Sequence, residues 1–437
     1  MKKNIFTLLL ISLFAVLVFA CSKSHVNSEL TNVFSNGSDE RNLIVIISDQ
    51  HLGADLRYAE MNVNIDPFKK FLKEVRQSKN IKELVIAGDL IDEWFVPATV
   101  DTYKGLDQAD FVKRVASTNK VIFDQLNKII QEGIISVTYV PGNHDLTVTA
   151  ENISKILPGI SQARDVLGLG VYSPDSLSEI AIEHGHRYNF FCAPDPLSNQ
   201  DIAPGTILPP GYFFTRIAAL HVDQKCKKSD NIIPGVTPNI SGDESQAFLY
   251  EYWKLWAWTL DIFPVKNTFK DSMIITNVNG FVDSCSINDV LPYQDVKDGP
   301  ISVKLFNGCQ NSWAERCVLN HVPIDISTKF AIQNSAKAVG TDTMAVTQYF
   351  MNPVSNKRIV IFGHTHVAKM NSYNNYKGQK CIYANSGTWI DHNPLATTMN
   401  FVVITPQSED SISQTNVVLY NFEKQVLTEM ARDSIRL

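Results

Sequence analysis

The sequence predicts an α/β layered fold with one large insertion, on three observations. Strand patterns alternate with helical patterns over the first third of the chain, which is typical of a sheet packed between helices. A polar cluster follows each strand pattern at its carboxyl end, where open α/β sheets place their functional sites. The alternation stops over residues 194–343, so we interpret this region as an insertion that packs on the core as a cap.

The amino-terminal part is predicted to contain three buried strands and two helices. Residues 41–47 form an apolar run of the kind that is buried on both faces of a sheet. Asp66 and Pro67 have the residue types of a helix N-cap and a first helical position, and the helical spacing after them ends near Asn80. The other elements expected here are a strand over 84–87, a helix over about 107–131 and a strand over 136–140.

The rest of the core is predicted to be mostly β. Its strand patterns occupy residues 178–183, 358–362, 380–384, 401–405 and 416–422. The resulting segments are a core over 41–193 and 344–425, the cap over 194–343 and a C-terminal tail over 426–437.

An aromatic stretch over 246–263 lies within the cap. Charged residues interrupt it, so a buried helix is expected and not a membrane span. Its aromatic side chains could line a pocket, but we favour a role in the buried core around the helix. They are Tyr250, Trp253, Trp256 and Trp258.

Length and composition describe an ordinary globular protein. The chain has 437 residues, of which 44% are hydrophobic, and this is enough for a large core. Its formal charge of −6 and pI near 5.9 disfavour nucleic acid as a partner, because binding a phosphate backbone requires a basic surface.

The first forty residues predict export. A lysine pair precedes the apolar run Ile5 to Ala20, which is short for a membrane span and has the flanks of a signal peptide. Residues 1–20 followed by Cys21 resemble a bacterial lipoprotein signal, in which that cysteine is lipidated. An ordinary secretory signal and a membrane anchor are the alternatives.

Residues 21–40 are rich in Ser and Asn and are expected to form a flexible tether. The protein would then be an exported lipoprotein of a bacterium. A lipid anchor would hold it on the membrane, facing the periplasm or the cell surface.

Six cysteines remain after Cys21. The sequence contains no C-x-x-C pair, so neither a zinc ribbon nor a redox pair is indicated. An exported protein can form disulfides, and the four cysteines between 226 and 317 are the candidates, with free buried thiols as the alternative. The six are Cys192, Cys226, Cys285, Cys309, Cys317 and Cys381.

Histidines concentrate at the ends of the predicted strands, next to carboxylates and an amide. The spacing of Asp49 and His51 can place both side chains on one face of an extended segment, which suits one metal ion. Asp89 can bridge two cations, and Asn143 offers a neutral oxygen. Six of the ten histidines lie at strand ends, namely His51, His144, His184, His186, His364 and His366.

Five short blocks follow one another along the chain, and they read Asp49-Gln50-His51, Gly88-Asp89, Gly142-Asn143-His144-Asp145, His184-Gly185-His186 and Gly363-His364-Thr365-His366. In this order they resemble the calcineurin-like metallophosphoesterases, whose pattern is D-x-H, G-D, G-N-H-[DE], a histidine next to glycine, and G-H-x-H. The resemblance covers about 41–190 and 346–405 and implies an α-β-β-α sandwich, but it does not extend to the cap.

The resemblance implies a site for two divalent metal ions and hydrolysis of a phosphate ester. Either histidine of the fourth block could be a ligand. We favour His184, and His186 would instead meet the substrate or support the ligands. Ligation by His, Asp and Asn suits Mn, Fe, Zn and Ni, so the metal stays open. The first ion would be held by Asp49, His51 and His366, the second by Asn143, His184 and His364, with Asp89 bridging both.

His144 does not belong to this implied set of ligands. It is expected to stabilise the transferring phosphoryl group and to protonate the leaving oxygen. The family pattern implies that a hydroxide held between the two ions attacks phosphorus. Asp92 or Asp145 can orient the imidazole of His144, and each of them can instead cap a loop.

The leading hypothesis is an exported, dinuclear metal-dependent phosphoesterase acting on a small or lipid-linked phosphate ester. The blocks around Asp49 and Asp89 are most similar to the branch that includes UDP-2,3-diacylglucosamine hydrolase, although the fourth block of that enzyme reads His-Gly-Asp. The alternatives are a catalytically inactive scaffold that binds a metal or a partner, and a nuclease, because DNA-end-processing enzymes share these blocks.

Overall fold

The computed structural model describes residues 30–394, 396–408 and 412–437. The predicted signal segment 1–20 and Cys21 lie outside these residues. Two stacked sheets form the centre of the molecule and helices cover their outer faces, so the predicted α/β layered fold is confirmed. Among the described residues, no helix is both long enough and apolar enough to cross a membrane.

Most of the strands belong to the two central sheets, and four short ones form two small ribbons in the cap. In chain order the strands are β1 (Leu43–Ile47), β2 (Ile81–Ala87), β3 (Ser136–Val140), β4 (Ser161–Gln162), β5 (Ile180–Ile182), β6 (Ile274–Ile275), β7 (Ser284–Cys285), β8 (Tyr293–Gln294), β9 (Ile301–Ser302), β10 (Ile359–Phe362), β11 (Lys369–Asn374), β12 (Lys380–Asn385), β13 (Asn400–Thr405), β14 (Thr415–Asn421) and β15 (Thr428–Ile435).

The helices are mostly amphipathic and lie on the outer faces of the sheets or in the cap. They are α1 (Leu30–Val33), α2 (Ile65–Gln77), α3 (Gln108–Thr118), α4 (Lys120–Glu132), α5 (Ala150–Ile156), α6 (Gly211–Gln224), α7 (Glu244–Ile262), α8 (Ile287–Val290), α9 (Trp313–Leu319), α10 (Thr328–Asn334) and α11 (Ala338–Met344). Shorter turns occupy His186–Tyr188 and Glu423–Gln425, and a π-helical turn over Ala345–Phe350 continues α11.

The large sheet has the order β15-β14-β13-β1-β2-β3-β4, and the small sheet has the order β11-β12-β10-β5. Strands β1 to β3 run parallel, as do β5, β10 and β12. Alternate residues of each strand point to opposite faces. Ile46 therefore packs between the two sheets with Ile182 and Ile361, whereas Val45 and Ile47 pack under the helices.

The predicted helix over 107–131 is two helices, α3 and α4. Asn119 interrupts it with φ −106° and ψ 33°. Its side-chain amide donates to the carbonyls of Gly53 and Val115, both at 2.9 Å. A polar side chain that bonds the backbone in this way competes with the helix. The helix predicted to begin at Pro67 starts two residues earlier, at Ile65, with Asn64 as the cap residue in place of Asp66.

Within the flexible tether expected over 21–40, residues 30–34 are docked on the core, whereas residues 35–40 are mostly exposed. Leu30 and Phe34 are buried, and the Phe34 ring lies 5.6 Å from that of Phe71 and 5.9 Å from that of Phe401. The side chain of Asn80 donates to the carbonyl of Glu40 at 2.7 Å. The apolar side chains in this polar segment were too few to predict the docking, which depends on a site built by α2 and β13.

The predicted C-terminal tail over 426–437 is corrected by β15, which pairs antiparallel with β14 at the edge of the large sheet. Ile435 is 2% exposed and packs with Val417 and Leu419 between the sheets. The segment reads TEMARDSI, and its charged residues hide the strand pattern. An edge strand with one solvated face is expected to carry such residues.

Two buried arginines anchor the cap to the core. Arg216 of α6 donates to the carbonyls of Val96 at 2.7 Å and Val100 at 2.6 Å. Arg316 of α9 donates to the carbonyl of Phe190 in the core at 2.7 Å and to that of Pro194 at 2.9 Å, and it also contacts Asp195 at 3.5 Å. Both guanidinium groups are fully buried. Removing either would leave buried carbonyls without a donor, so these contacts fix where the cap lies.

All six cysteines in the described part of the chain are free thiols, and four of them are buried. Of the two alternatives that the sequence leaves open, the structure therefore contains free thiols.

We predict that Ile435→Ala lowers the free energy of unfolding by about 2–4 kcal/mol, because it removes a buried side chain between the two sheets. Chemical denaturation of the full chain measures this. Val354→Ala serves as the control, because Val354 is 91% exposed. If both variants left the free energy of unfolding unchanged, residues 426–437 would be an unpacked tail.

Candidate metal centre

The carboxyl ends of five strands bring the predicted residues to one edge of the two sheets. Parallel strands end at the same edge, so loops distant in sequence become neighbours there. The residues follow their strands at once. Asp49 and His51 follow β1, Asp89 follows β2, Asn143 follows β3, His184 follows β5, and His364 and His366 follow β10.

Five of these residues have a left-handed backbone. Their φ angles lie between 48° and 70°, a region that costs energy for residues other than glycine. Hydrogen bonds between the loops hold the conformation, as from the amide of Asp49 to the carbonyl of Gly88 at 3.0 Å. Concentrated strain of this kind is typical of functional sites. The five residues are Asp49, His51, Asp89, His364 and His366.

Close approach of neighbouring side chains requires glycine at two positions of the blocks. A Cβ at Gly142 would lie 2.1 Å from Oδ1 of Asp89, and one at Gly88 would lie 2.3 Å from Nδ1 of His184. No real Cβ tolerates either distance. The glycine before Asp89 and the glycine before Asn143 therefore have a physical reason, since each makes room for a neighbouring candidate ligand.

The first group of candidate ligands consists of Asp49, His51 and His366. The two Nε2 atoms lie 3.1 Å apart, and Oδ1 of Asp49 lies 3.2 Å from that of His366 and 3.9 Å from that of His51. Nδ1 of His51 donates to Asp92 at 2.9 Å. A neutral His51 ring therefore presents only a lone pair to this group.

The second group consists of His184, Asn143 and His364, next to Asp89. Nε2 of His184 lies 3.1 Å from Oδ2 of Asp89 and 3.1 Å from Oδ1 of Asn143, and Nδ1 of His364 lies 2.8 Å from the same amide oxygen. Oδ2 of Asp89 also lies 3.6 Å from Nε2 of His51. Asp89 thus lies between the two groups.

The donor set of the two groups fits divalent metal ions. Nδ1 of His184 is 2.9 Å from the carbonyl of Ala87, which can only accept, so Nε2 of a neutral ring has only a lone pair. That lone pair faces the oxygens of Asp89 and Asn143. Electron-rich atoms that converge in a buried site require a cation between them. Ligand atoms of Asp49, His51 and His366, and of Asp49, Asp89 and His184, lie within 4.8 Å of one another.

The pKa of His184 reflects the negative charge of the carboxylates around it. Burial alone would lower this pKa, but the carboxylates of Asp89 and Asp49 outweigh it and raise the pKa to about 9. Burial, together with the neighbouring His184, lowers the pKa of His364 to about 3. In the protein without metal, a proton on His184 therefore compensates the carboxylates, and a metal ion would replace it.

His144 lies beside the two groups and lines the adjacent cavity. Its Nδ1 donates to Oδ1 of Asp92 at 2.9 Å, and Trp94 stacks on its ring with centroids 5.0 Å apart. Burial would lower the pKa of His144, but Asp92 and Asp89 outweigh this effect and raise it. A protonated ring held in one orientation can donate a proton at neutral pH.

Asp145 has a different environment from Asp92. It accepts from the backbone amides of Leu90 at 2.9 Å and Gly142 at 2.7 Å, so its contacts hold the turn. Of the two carboxylates that the sequence leaves open beside His144, the structure brings Asp92 to the ring. Asp92 also accepts from His51 and therefore links the two histidines.

His186 is buried, and neither of its ring nitrogens has a hydrogen-bond partner within the described structure. Burial, together with the neighbouring His184, lowers its pKa well below the ordinary value. Its ring centroid lies 5.4 Å from that of His184 and 6.5 Å from that of His364. Of the two histidines in the fourth block, His184 is thus the one whose nitrogen faces Asp89 and Asn143.

A cavity of about 630 Å³ opens onto the two groups, and its wall includes Asp89, Asn143, His144, His364 and His366. Sequence reasoning missed a carboxylate of this wall, that of Glu60. Glu60 lies 3.3 Å from Nδ1 of His51 and belongs to a loop without a recognisable pattern. Only its position in the folded chain identifies it.

Residues 43–210 match the sequence model of a family described as Calcineurin-like phosphoesterase. The match begins at β1 and ends just before α6, and it contains the first four blocks. No curated protein matches the chain in sequence. Residues 43–210 are thus similar to a calcineurin-like phosphoesterase domain, and the match supports a metal-dependent phosphoric ester hydrolase.

We predict that metal affinity rises with pH, because binding at the second group displaces the proton that His184 holds below about pH 9. The association constant for Mn²⁺ should rise roughly tenfold from pH 7 to pH 8 if one proton is displaced. Calorimetric titration of the metal-free full chain at both values measures this. A His184→Asn variant lacks the titrating ring and should show a smaller pH dependence. An affinity that stayed constant in the wild-type protein would contradict the assignment.

Proposed function

We propose that this protein is an exported, dinuclear metal phosphoesterase that hydrolyses a small or lipid-linked phosphate ester. The observation that carries the proposal is the position of Asp89. One of its oxygens faces His51 of the first group and His184 of the second, at 3.6 and 3.1 Å. A carboxylate shared by two sets of ligands is suited to bridging two ions.

The proposed ligands divide into two sets. Bound divalent ions would supply Lewis acidity toward the phosphoryl oxygens and lower the pKa of water at the site. Asn143 contributes a neutral oxygen, which limits the negative charge that an anionic substrate meets. The first set is Asp49, His51 and His366, the second is Asn143, His184 and His364, and Asp89 belongs to both.

His144 is proposed to protonate the leaving oxygen. Its Nδ1 donates to Asp92 at 2.9 Å, so Nε2 is the ring nitrogen that can donate to the substrate. Trp94 stacks on the ring and restricts its rotation. The raised pKa of His144 favours the protonated ring that this role needs.

Export and attachment to a membrane are proposed on the sequence alone. The support is the apolar run before Cys21, which lies outside the described residues. Lipidation at Cys21 would hold the domain at the periplasmic face or at the cell surface of a bacterium.

The test combines metal loading with a panel of phosphoesters. We predict that the metal-free chain hydrolyses neither aryl phosphates nor their diesters, and that Mn²⁺ or another divalent ion restores turnover. His144→Ala should lower kcat by about 10²–10⁴-fold, the usual contribution of a general acid, while the metal content stays unchanged. Measurement of both quantities on the same sample separates loss of the acid from loss of metal.

His321→Ala is the matched control, because the side chain of His321 is 69% exposed and lies outside the cavity wall. Full activity of His144→Ala would rule out the role given to that residue. A metal-loaded wild-type protein that hydrolysed no ester of the panel would favour the catalytically inactive scaffold, and cleavage of DNA alone would favour the nuclease.

A further inference from the structure

The cavity beside the candidate metal centre is closed on its far side by the cap. Helices α6 and α7 and the residue after α7 contribute Phe214, Leu255, Trp258 and Phe263 to its wall. The core contributes Phe191, whose ring centroid lies 5.0 Å from that of Phe214. A phosphate bound near Asp89 and His364 would therefore direct its organic group toward an apolar surface.

Trp258 is the most informative residue of that wall. For the aromatic residues of α7 the sequence favoured helix core over a pocket wall, and Trp256 is fully buried and stacks on Phe214 with centroids 3.8 Å apart. Trp258, however, is 52% exposed and faces the cavity. An exposed tryptophan costs hydration free energy, and a ligand that covered it would recover this energy.

The charge of the cavity restricts its ligand further. Among the described residues that form its wall, none is lysine or arginine, and Glu60 adds a carboxylate. Lys254 and Lys337 line a separate hollow that shares only Leu255 with the cavity, and Lys254 is already paired with Glu251 at 2.6 Å. A second anionic group placed away from His144 and the candidate ligands would thus find no lysine or arginine in this wall.

We infer that the substrate is a phosphate ester of an uncharged, apolar alcohol, whose organic group lies against the wall formed by Phe214, Leu255, Trp258 and Phe263 (the apolar wall). This inference rests on the proposed phosphoesterase function. In the reaction, water adds across the ester P–O bond. Its oxygen joins phosphorus, and a proton goes to the leaving alkoxide, so phosphate and the free alcohol are the products. Nucleotides and other polyanionic esters fit the wall poorly.

A series of n-alkyl phosphates from ethyl to octyl tests this on the metal-loaded full chain. The leaving alcohols have nearly equal acidity, so a change in kcat/KM reports contact with the chain. Each buried CH₂ contributes up to roughly fourfold, and we expect a rise of at least about 100-fold from ethyl to octyl. The matching methyl alkyl diesters are run in parallel, so that the outcome does not depend on the class of ester.

Charge is tested with an octyl phosphate whose chain ends in a carboxylate. It has the same length and the same phosphate, and we expect its kcat/KM to be at least about tenfold lower, because the apolar wall holds no lysine or arginine to pair with the added charge. An equal or higher value would overturn the inference.

Trp258→Ala tests the wall directly. Its kcat/KM for the octyl ester should fall at least about tenfold, with the value for the ethyl ester within about twofold of wild type. Tyr293→Ala is the matched control, since Tyr293 is a half-exposed aromatic residue of the cap outside the cavity wall. Tyr293→Ala should leave both values unchanged. Loss of both activities in Trp258→Ala would contradict a role confined to the organic group.

Binding of octylphosphonate and ethylphosphonate, measured by calorimetry, separates this inference from the proposed function. Hydrolysis with a flat dependence on chain length would overturn the inference alone. Absence of all hydrolysis would overturn the proposed function. In that case, equal affinities for the two phosphonates would overturn the apolar wall as well, and tighter binding of octylphosphonate would support it as a ligand site.

Discussion

The structure depends on a concentration of electron-rich atoms around Asp89. Its carboxylate, that of Asp49 and the amide oxygen of Asn143 converge in a buried space, and the ion-pair partners of the two carboxylates are histidines. The pKa of His184 rises to about 9 for this reason. Without a cation, the clustered electron-rich atoms destabilise the folded loops. Metal binding is therefore expected to stabilise these loops.

The same constraint explains the local backbone. Candidate ligands at the ends of neighbouring strands must approach closely, which excludes a Cβ at Gly88 and Gly142 and forces left-handed angles at five residues. The cap reaches this site indirectly. Arg216 holds the carbonyls of Val96 and Val100, a few residues after Trp94, and Trp94 stacks on His144. The cap thus contributes both a wall of the cavity and support for the loop beside the proposed acid.

Much of the core could be predicted because its strands are short, buried and separated by clear helices. The candidate ligands could be predicted because each follows a strand at once, and parallel strands bring their ends together. Packing between segments distant in sequence could not be predicted in this way. Phe34 docks between Phe71 and Phe401 although its segment has the composition of a linker, and the charged residues of β15 hide an edge strand. The position of Glu60 in the cavity wall and the exposure of Trp258 depend on how loops and cap helices pack. No local sequence pattern indicates this packing.

The most direct test of the account is the number and position of metal ions in a crystal of the Mn²⁺-loaded protein. An anomalous difference map should contain two peaks roughly 3.5–4 Å apart, the usual separation in two-metal sites, with Asp89 between them. His184 and His364 should contact one ion, and His51 and His366 the other. A single ion, or two ions that do not share Asp89, would contradict the dinuclear centre.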